Sequence, residues 1–161
     1  MAKKVAFCGM LTALAMIFSY VEALIPVNFG IPGVKLGLAN LVVLVGLWIL
    51  RPHEVLMLSV SRIILISLLF GNGVSLLYSL AGGILSFFVM LGLKKAGFSG
   101  IGVSAAGGAA HNIGQLATAA LIVQTAGIFW YLPVLLLSGV LTGVLIGILT
   151  GRVLAAFGKS A

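Results

Sequence analysis

The 161 residues are 62% hydrophobic and 7% charged, with a mean hydropathy of +1.34, whereas soluble domains carry about 25% charged residues, so a water-soluble globule is excluded. The basic residues behind the net charge of +7 stand singly or in pairs at the ends of apolar runs, which is a topology signal rather than a phosphate-binding surface, so nucleic acid is not an expected partner. Cys8 is the one cysteine, which excludes an intrachain disulfide and a cysteine-cluster metal site and leaves a packing role.

Apolar runs close to 20 residues, without strict alternation, predict helices that cross a hydrocarbon core about 30 Å thick rather than a membrane β-barrel. The chain reads as a single all-α domain over 1–161, a polytopic membrane bundle with six spans at roughly 5–25, 36–50, 53–71, 73–93, 104–126 and 132–154. Pro26, Pro32, Gly33, Pro52, Gly71 and Gly73 punctuate the joints, and Pro133 falls where a first helical turn tolerates it. The opening Met-Ala-Lys-Lys imitates a signal peptide, but the run from Val5 to Ile25 is longer than such a region and no polar mature domain follows, so cleavage is not expected. With the N-terminus inside, Lys3, Lys4, Arg51, Lys94, Lys95, Arg152 and Lys159, seven of the nine basic residues, fall on the cytoplasmic side. Lys35 alone falls outside, and Arg62 lies within a span. That split predicts an even number of spans with both termini cytoplasmic; the expected location is a plasma membrane of bacterial type.

In the first helix, Ala2 with Ala6 and Gly9 with Ala13 form small-xxx-small pairs that let another helix approach, either from this chain or from a partner. Glu22 lies near its outer end. The connection from Ile25 to Lys35 holds two prolines and two glycines, which makes it a shaped loop. Two readings stand for it: a lid over an outward-facing pocket, or a connector whose Lys35 meets lipid headgroups or Glu22. Asn40 in the second span is one to two turns below the outer surface, where an amide needs a partner. Glu54, in the first turn of the third helix, complements the helix dipole, and His53 beside it is solvated.

Arg62 is the costliest residue, about 13 Å along its helix at 1.5 Å per residue. An Arg at mid-bilayer costs about 2.5–3.5 kcal/mol, so it is expected to point into the bundle. Its partner is open among backbone carbonyls, Ser59 and the polar patch of the fifth helix; an intramembrane guanidinium is also an anchor for an anionic ligand. In the fourth span Ser75, Tyr78, Ser79, Gly82 and Ser86 share a face that either lines a cavity or packs tightly. The fifth carries Gly107-Gly-Ala-Ala-His-Asn-Ile-Gly-Gln115. His111 and Gln115 stack on one helical face with Asn112 beside them, a polar patch that must meet protein or a solvated cavity. It serves either as hydrogen-bonding glue between helices or as a ligand site. Gly139, Gly143, Gly147 and Gly151 in the sixth span recur every four residues and form a close-approach ridge, and Trp130 and Tyr131 mark the outer interface.

Through Gly33-Val-Lys-Leu-Gly-Leu-Ala-Asn40 and Ala110-His-Asn-Ile-Gly-Gln115, set among six spans, the chain resembles the Gx transporter family. That family carries the older label heptaprenyl diphosphate synthase component I and is similar to the substrate-binding S components of energy-coupling factor (ECF) transporters. The resemblance implies a ligand bound near the outer side and a first helix, through Ala2, Ala6, Gly9 and Ala13, against a membrane coupling subunit. Two cytoplasmic ATPases would energise the complex. No Gly-rich phosphate-binding motif with its Lys occurs in this chain, so ATP use belongs to those partners.

Three functions follow. The first is a substrate-binding membrane subunit for a small, anionic organic molecule such as a vitamin, flavin or isoprenoid precursor, with Lys35, Asn40, Arg62, Tyr78, His111, Asn112 and Gln115 as binding residues. The second is a non-catalytic membrane accessory to prenyl diphosphate or quinone synthesis, because that chemistry needs aspartate clusters for Mg²⁺ and the chain has no Asp and two Glu. The third is a scaffold in a flavin-dependent redox assembly. No catalytic residue, resident cofactor or metal site is expected; the partners are substrate, membrane lipid, coupling subunit and ATPases.

Overall fold

A computed structural model describes residues 2–24 and 36–159. It contains α1 (Ala2–Leu24), α2 (Leu38–Ile49), α3 (Pro52–Phe70), α4 (Gly73–Lys95), α5 (Gly100–Val123), a 3₁₀ helix (Ala126–Tyr131) and α6 (Leu132–Ala156). Among the described residues there is no strand. Stretches 2–24, 52–70, 73–95 and 127–156 are long and apolar enough to cross a membrane. Leu68, Leu121, Leu137 and Trp130 stay exposed on the outside of the bundle. An apolar exterior of this kind fits a multi-pass membrane protein.

Local chemistry sets the helix ends. Pro52 starts α3 while Glu54 accepts a hydrogen bond from the Arg51 backbone N–H at 2.9 Å. Asn72 caps α4 reciprocally: its Oδ1 accepts from Ser75 N–H at 2.8 Å and its own N–H donates to Ser75 Oγ at 3.0 Å. Ser99 Oγ accepts from Gly102 N–H at 3.3 Å, which starts α5 four residues before the expected 104. Gln124, with φ at 52°, ends it.

The second expected span is the one the structure reshapes. Helix α2 has 12 residues, about 18 Å at 1.5 Å per residue, which is short of a membrane core. Yet Ala39 and the unbroken run Val42–Leu47 are buried. It is an inner wedge, all round apolar because protein surrounds it.

Around this wedge the bundle divides into two halves. Leu11, Val43, Leu44, Val55, Phe87, Met90, Val103 and Ile146 form a continuous apolar core, drawn from the residues nearer the N-termini of α1, α3 and α5 and the C-termini of α2, α4 and α6. The same end carries the basic residues. Lys4 and Arg51 lie within electrostatic reach of Glu54, Lys94 Nζ donates to the Leu47 carbonyl and stands 5.3 Å from the Trp48 ring centroid, and Lys159 Nζ donates to the Trp48 carbonyl at 3.4 Å. Two lysines thus meet the exposed carbonyls at the C-terminus of α2, where the helix dipole favours cations. The opposite half is hollow.

Helix α5 is clasped between α4 and α6 with backbones nearly touching. A Cβ on Gly114 would lie 2.8 Å from the Ala81 carbonyl oxygen, and one on Gly143 2.6 Å from the Ser104 carbonyl oxygen. The expected glycine ridge of α6 is therefore real for Gly139, Gly143 and Gly147. It stops before Gly151, where an added Cβ meets nothing within 4 Å.

Candidate substrate-binding cavity

The hollow half encloses a cavity of about 420 Å³. Its floor and walls come from all six α-helices: Ser19 and Glu22 on α1, Asn40 on α2, Arg62 and Ser67 on α3, Ser75 and Ser79 on α4, His111, Asn112 and Gln115 on α5, and Gly139 and Thr142 on α6. The volume falls within the roughly 300–1,000 Å³ of small-molecule pockets.

Of the residues expected to bind substrate, Asn40, Arg62, His111, Asn112 and Gln115 converge here. Lys35, together with the expected lid from 25 to 35, lies outside the described residues. Tyr78 is half-buried on α4 but does not line the cavity. On that helix Ser75 and Ser79 face the hollow, whereas Gly82 packs on α5: a Cβ there would lie 2.7 Å from the His111 carbonyl oxygen and 3.1 Å from its ring Cε1.

The polar patch of α5 splits in two. Asn112 is buried, and its Nδ2 donates to the Leu135 carbonyl of α6 at 2.5 Å. It passes over Gly139, whose missing side chain makes the space: an added Cβ would come within 2.7 Å of the Asn112 Nδ2. Asn112 thus ties α5 to α6 while lining the cavity. Gln115, by contrast, makes no side-chain hydrogen bond among the described residues, and neither does Asn40. Two amides face the cavity with donors and acceptors to spare, where lipid offers no replacement.

Arg62 finds its protein partner on α1, not at Ser59 or in the α5 patch: its Nη1 donates to Ser19 Oγ at 3.1 Å. Its Nε is buried with no hydrogen bond among the described residues. The carboxylate within electrostatic reach is Glu22, which accepts a 2.6 Å hydrogen bond from the Gly37 backbone N–H. Gly37 adopts a left-handed conformation, φ 75°, and opens α2 without a side-chain cap of its own, so Glu22 supplies that cap from another helix. The sequence placed Glu22 at the end of a span, with Lys35 as its one suggested partner, and did not assign it the cap on α2. Its spacing of three from Ser19, which puts both on one face of α1, was the available signal.

Helix α1 shows its other side to the outside. Ala2, Ala6, Gly9 and Ala13 are all exposed and fall within about 60° of arc at 100° per residue. Leu11 and Ala15, the buried residues of α1, occupy the opposite face. No other part of the described chain covers the small-residue stripe, and a Cβ on Gly9 would meet nothing within 4 Å.

Residues 11–153 match the family model described as heptaprenyl diphosphate synthase component I. The chain belongs to this family. Comparison with curated proteins and with solved structures gives no match. Within the heptaprenyl diphosphate synthase component I family the description is of a component, a membrane accessory role, and the residues here do not fit a magnesium–diphosphate clasp. Such a clasp needs several carboxylates on one metal, whereas this chain has no Asp, and Glu22 and Glu54 stand at opposite ends of the bundle.

Proposed function

We propose that this chain is the substrate-binding membrane subunit of an ECF-type transporter, taking a small organic molecule with an acidic group into the hollow half of the bundle. The observation that carries the reading is the cavity of about 420 Å³, lined by Arg62 and by the amides of Asn40 and Gln115, which hydrogen-bond to nothing in the described chain. A guanidinium and two free amides inside a membrane bundle are costly unless something polar completes them. Arg62 receives the acid group by charge-assisted hydrogen bonding, and Asn40 and Gln115 read the polar edge of the molecule. The exposed face Ala2, Ala6, Gly9 and Ala13 meets a helix of a coupling subunit, and ATPases bound to that subunit supply the energy. The basic end of the bundle faces the cytoplasm, following the positive-inside rule.

The test is co-expression of the tagged full chain with the host's coupling subunit and ATPase pair, followed by purification. Co-elution that Gly9→Leu abolishes is the expected result. A chain that elutes alone at every detergent concentration, and whose thermal stability no small molecule raises, overturns the reading.

The family description favours a second reading, a non-catalytic membrane accessory to heptaprenyl diphosphate synthesis. Under it, the chain recruits the catalytic subunit of the synthase to membranes. Sedimentation of that subunit with vesicles containing this chain, and not with empty vesicles, discriminates the two.

A further inference from the structure

The cavity carries a second charge that an anion-binding site does not call for. Glu22 lines it alongside Arg62, and among the described residues these are the Lys, Arg, Asp and Glu side chains that do so. They lie within electrostatic reach of each other, yet no ion pair joins them: Arg62 Nη1 is spent on Ser19 and Glu22 Oε1 on Gly37. Each keeps hydrogen-bonding capacity, in the terminal N–H groups of Arg62 not spent on Ser19 and the second carboxylate oxygen of Glu22. Two opposite charges that line one hollow without pairing, both beside the Ser19–Glu22 face of α1, form a fixed dipole in a medium of low dielectric, where Coulomb terms are strong.

A purely anionic guest would gain from Arg62 and lose to Glu22, because like charges brought together at a desolvated site repel. A neutral guest would leave both charges unanswered. We infer that the molecule seated here is a small zwitterion of amino-acid type, its acidic group on Arg62 and its ammonium group on Glu22. The inference rests on the cavity being a ligand site and narrows what that site selects. Glu22 then does two jobs at once, capping α2 through Gly37 and rejecting guests that lack a positive group, a repulsive element of the kind that sets specificity.

The probes are the common amino acids with uncharged side chains, each compared with its N-acetyl derivative, which is only anionic, and its carboxamide, which is only cationic. Binding to the purified full chain is read by titration calorimetry and thermal stabilisation. The expected result is at least one free amino acid that binds about tenfold or more tightly than both of its derivatives, as loss of one charge-assisted contact predicts. Glu22→Gln, which retains an oxygen for the Gly37 N–H, is expected to close the gap between the free amino acid and its N-acetyl form, whereas Arg62→Gln weakens both. The comparison of derivatives on the unmodified chain stands even if a variant fails to fold. An N-acetyl form that binds as tightly as its parent overturns the inference, and so does absence of binding by every free amino acid. A panel of carboxylates and phosphomonoesters separates the two failures: stabilisation by one of these that depends on Arg62 keeps the ligand site and removes the zwitterion.

Discussion

Replacing Gly143 by Ala tests the helix clasp that shapes the cavity. The new Cβ would lie 2.6 Å from the Ser104 carbonyl oxygen, 2.7 Å from Ala105 Cα and 3.0 Å from Ala105 N, all backbone atoms of α5 that cannot rotate away. Restoring an ordinary contact near 3.4 Å requires α5 and α6 to part by about 0.8 Å. A gap of roughly 0.5–1 Å forfeits a quarter to a half of the dispersion energy of the atoms facing it, and overpacking of this kind typically costs about 1–3 kcal/mol. For a chain of this length, 1 kcal/mol corresponds to about 2–4 °C in Tm, so Gly143→Ala is expected to lower Tm by roughly 2–12 °C in thermal unfolding of the detergent-solubilised protein. Gly151→Ala is the control. It belongs to the same four-residue repeat, but its Cβ meets nothing within 4 Å, and it is expected to leave Tm unchanged or to raise it slightly through better helix propensity. Equal Tm values for the two variants would refute the packing argument.

The side chains of the cavity make separable predictions. Asn112→Ala removes the donor to the Leu135 carbonyl and is expected to cost about 1–3 kcal/mol of stability, whereas Gln115→Ala and Asn40→Ala, which break no hydrogen bond in the described chain, stay within about 0.5 kcal/mol; denaturant titration ranks the three. Glu22→Ala uncaps Gly37 and is expected to cost about 0.5–2 kcal/mol, with Glu22→Gln recovering most of it. Arg62→Ala is expected to weaken binding of an acid-bearing guest about ten- to a hundredfold, measured by calorimetry, as removal of a charged hydrogen-bond donor predicts. Ala6→Leu on the exposed face of α1 is expected to leave Tm unchanged while reducing co-elution with a coupling subunit, which gel filtration reports.

Helix number and class were legible because long apolar runs in this chain have little alternative to burial in lipid. The polar stretch 111–115 was legible as a patch turned into the bundle because three hydrogen-bonding side chains in an apolar run have little place against lipid. Which of them is glue was not legible. Asn112 and Gln115 are both amides on one helix, and what separates them is Gly139 on α6, a gap that only one of them can enter. The same holds for Arg62. Its depth announced a need for a partner, but Ser19 is 43 residues away, and only the packing of α1 on α3 brings the two together. Helix α2 was read as a span from its hydropathy, which records burial but not what does the burying; protein and lipid look alike on that scale.

The placement of α2 has one more consequence. Between the hollow and the basic end stand aliphatic and aromatic side chains, from Val43 and Leu44 to Phe87 and Ile146, and among the described residues the space that leads from Asn40 and Thr142 down to Leu44, Met90 and Ile146 holds only about 20 Å³. A guest seated beside Arg62 would face that narrow base, and driving it straight downward would mean prising the stack open residue by residue. By itself this bundle is a cup rather than a tube.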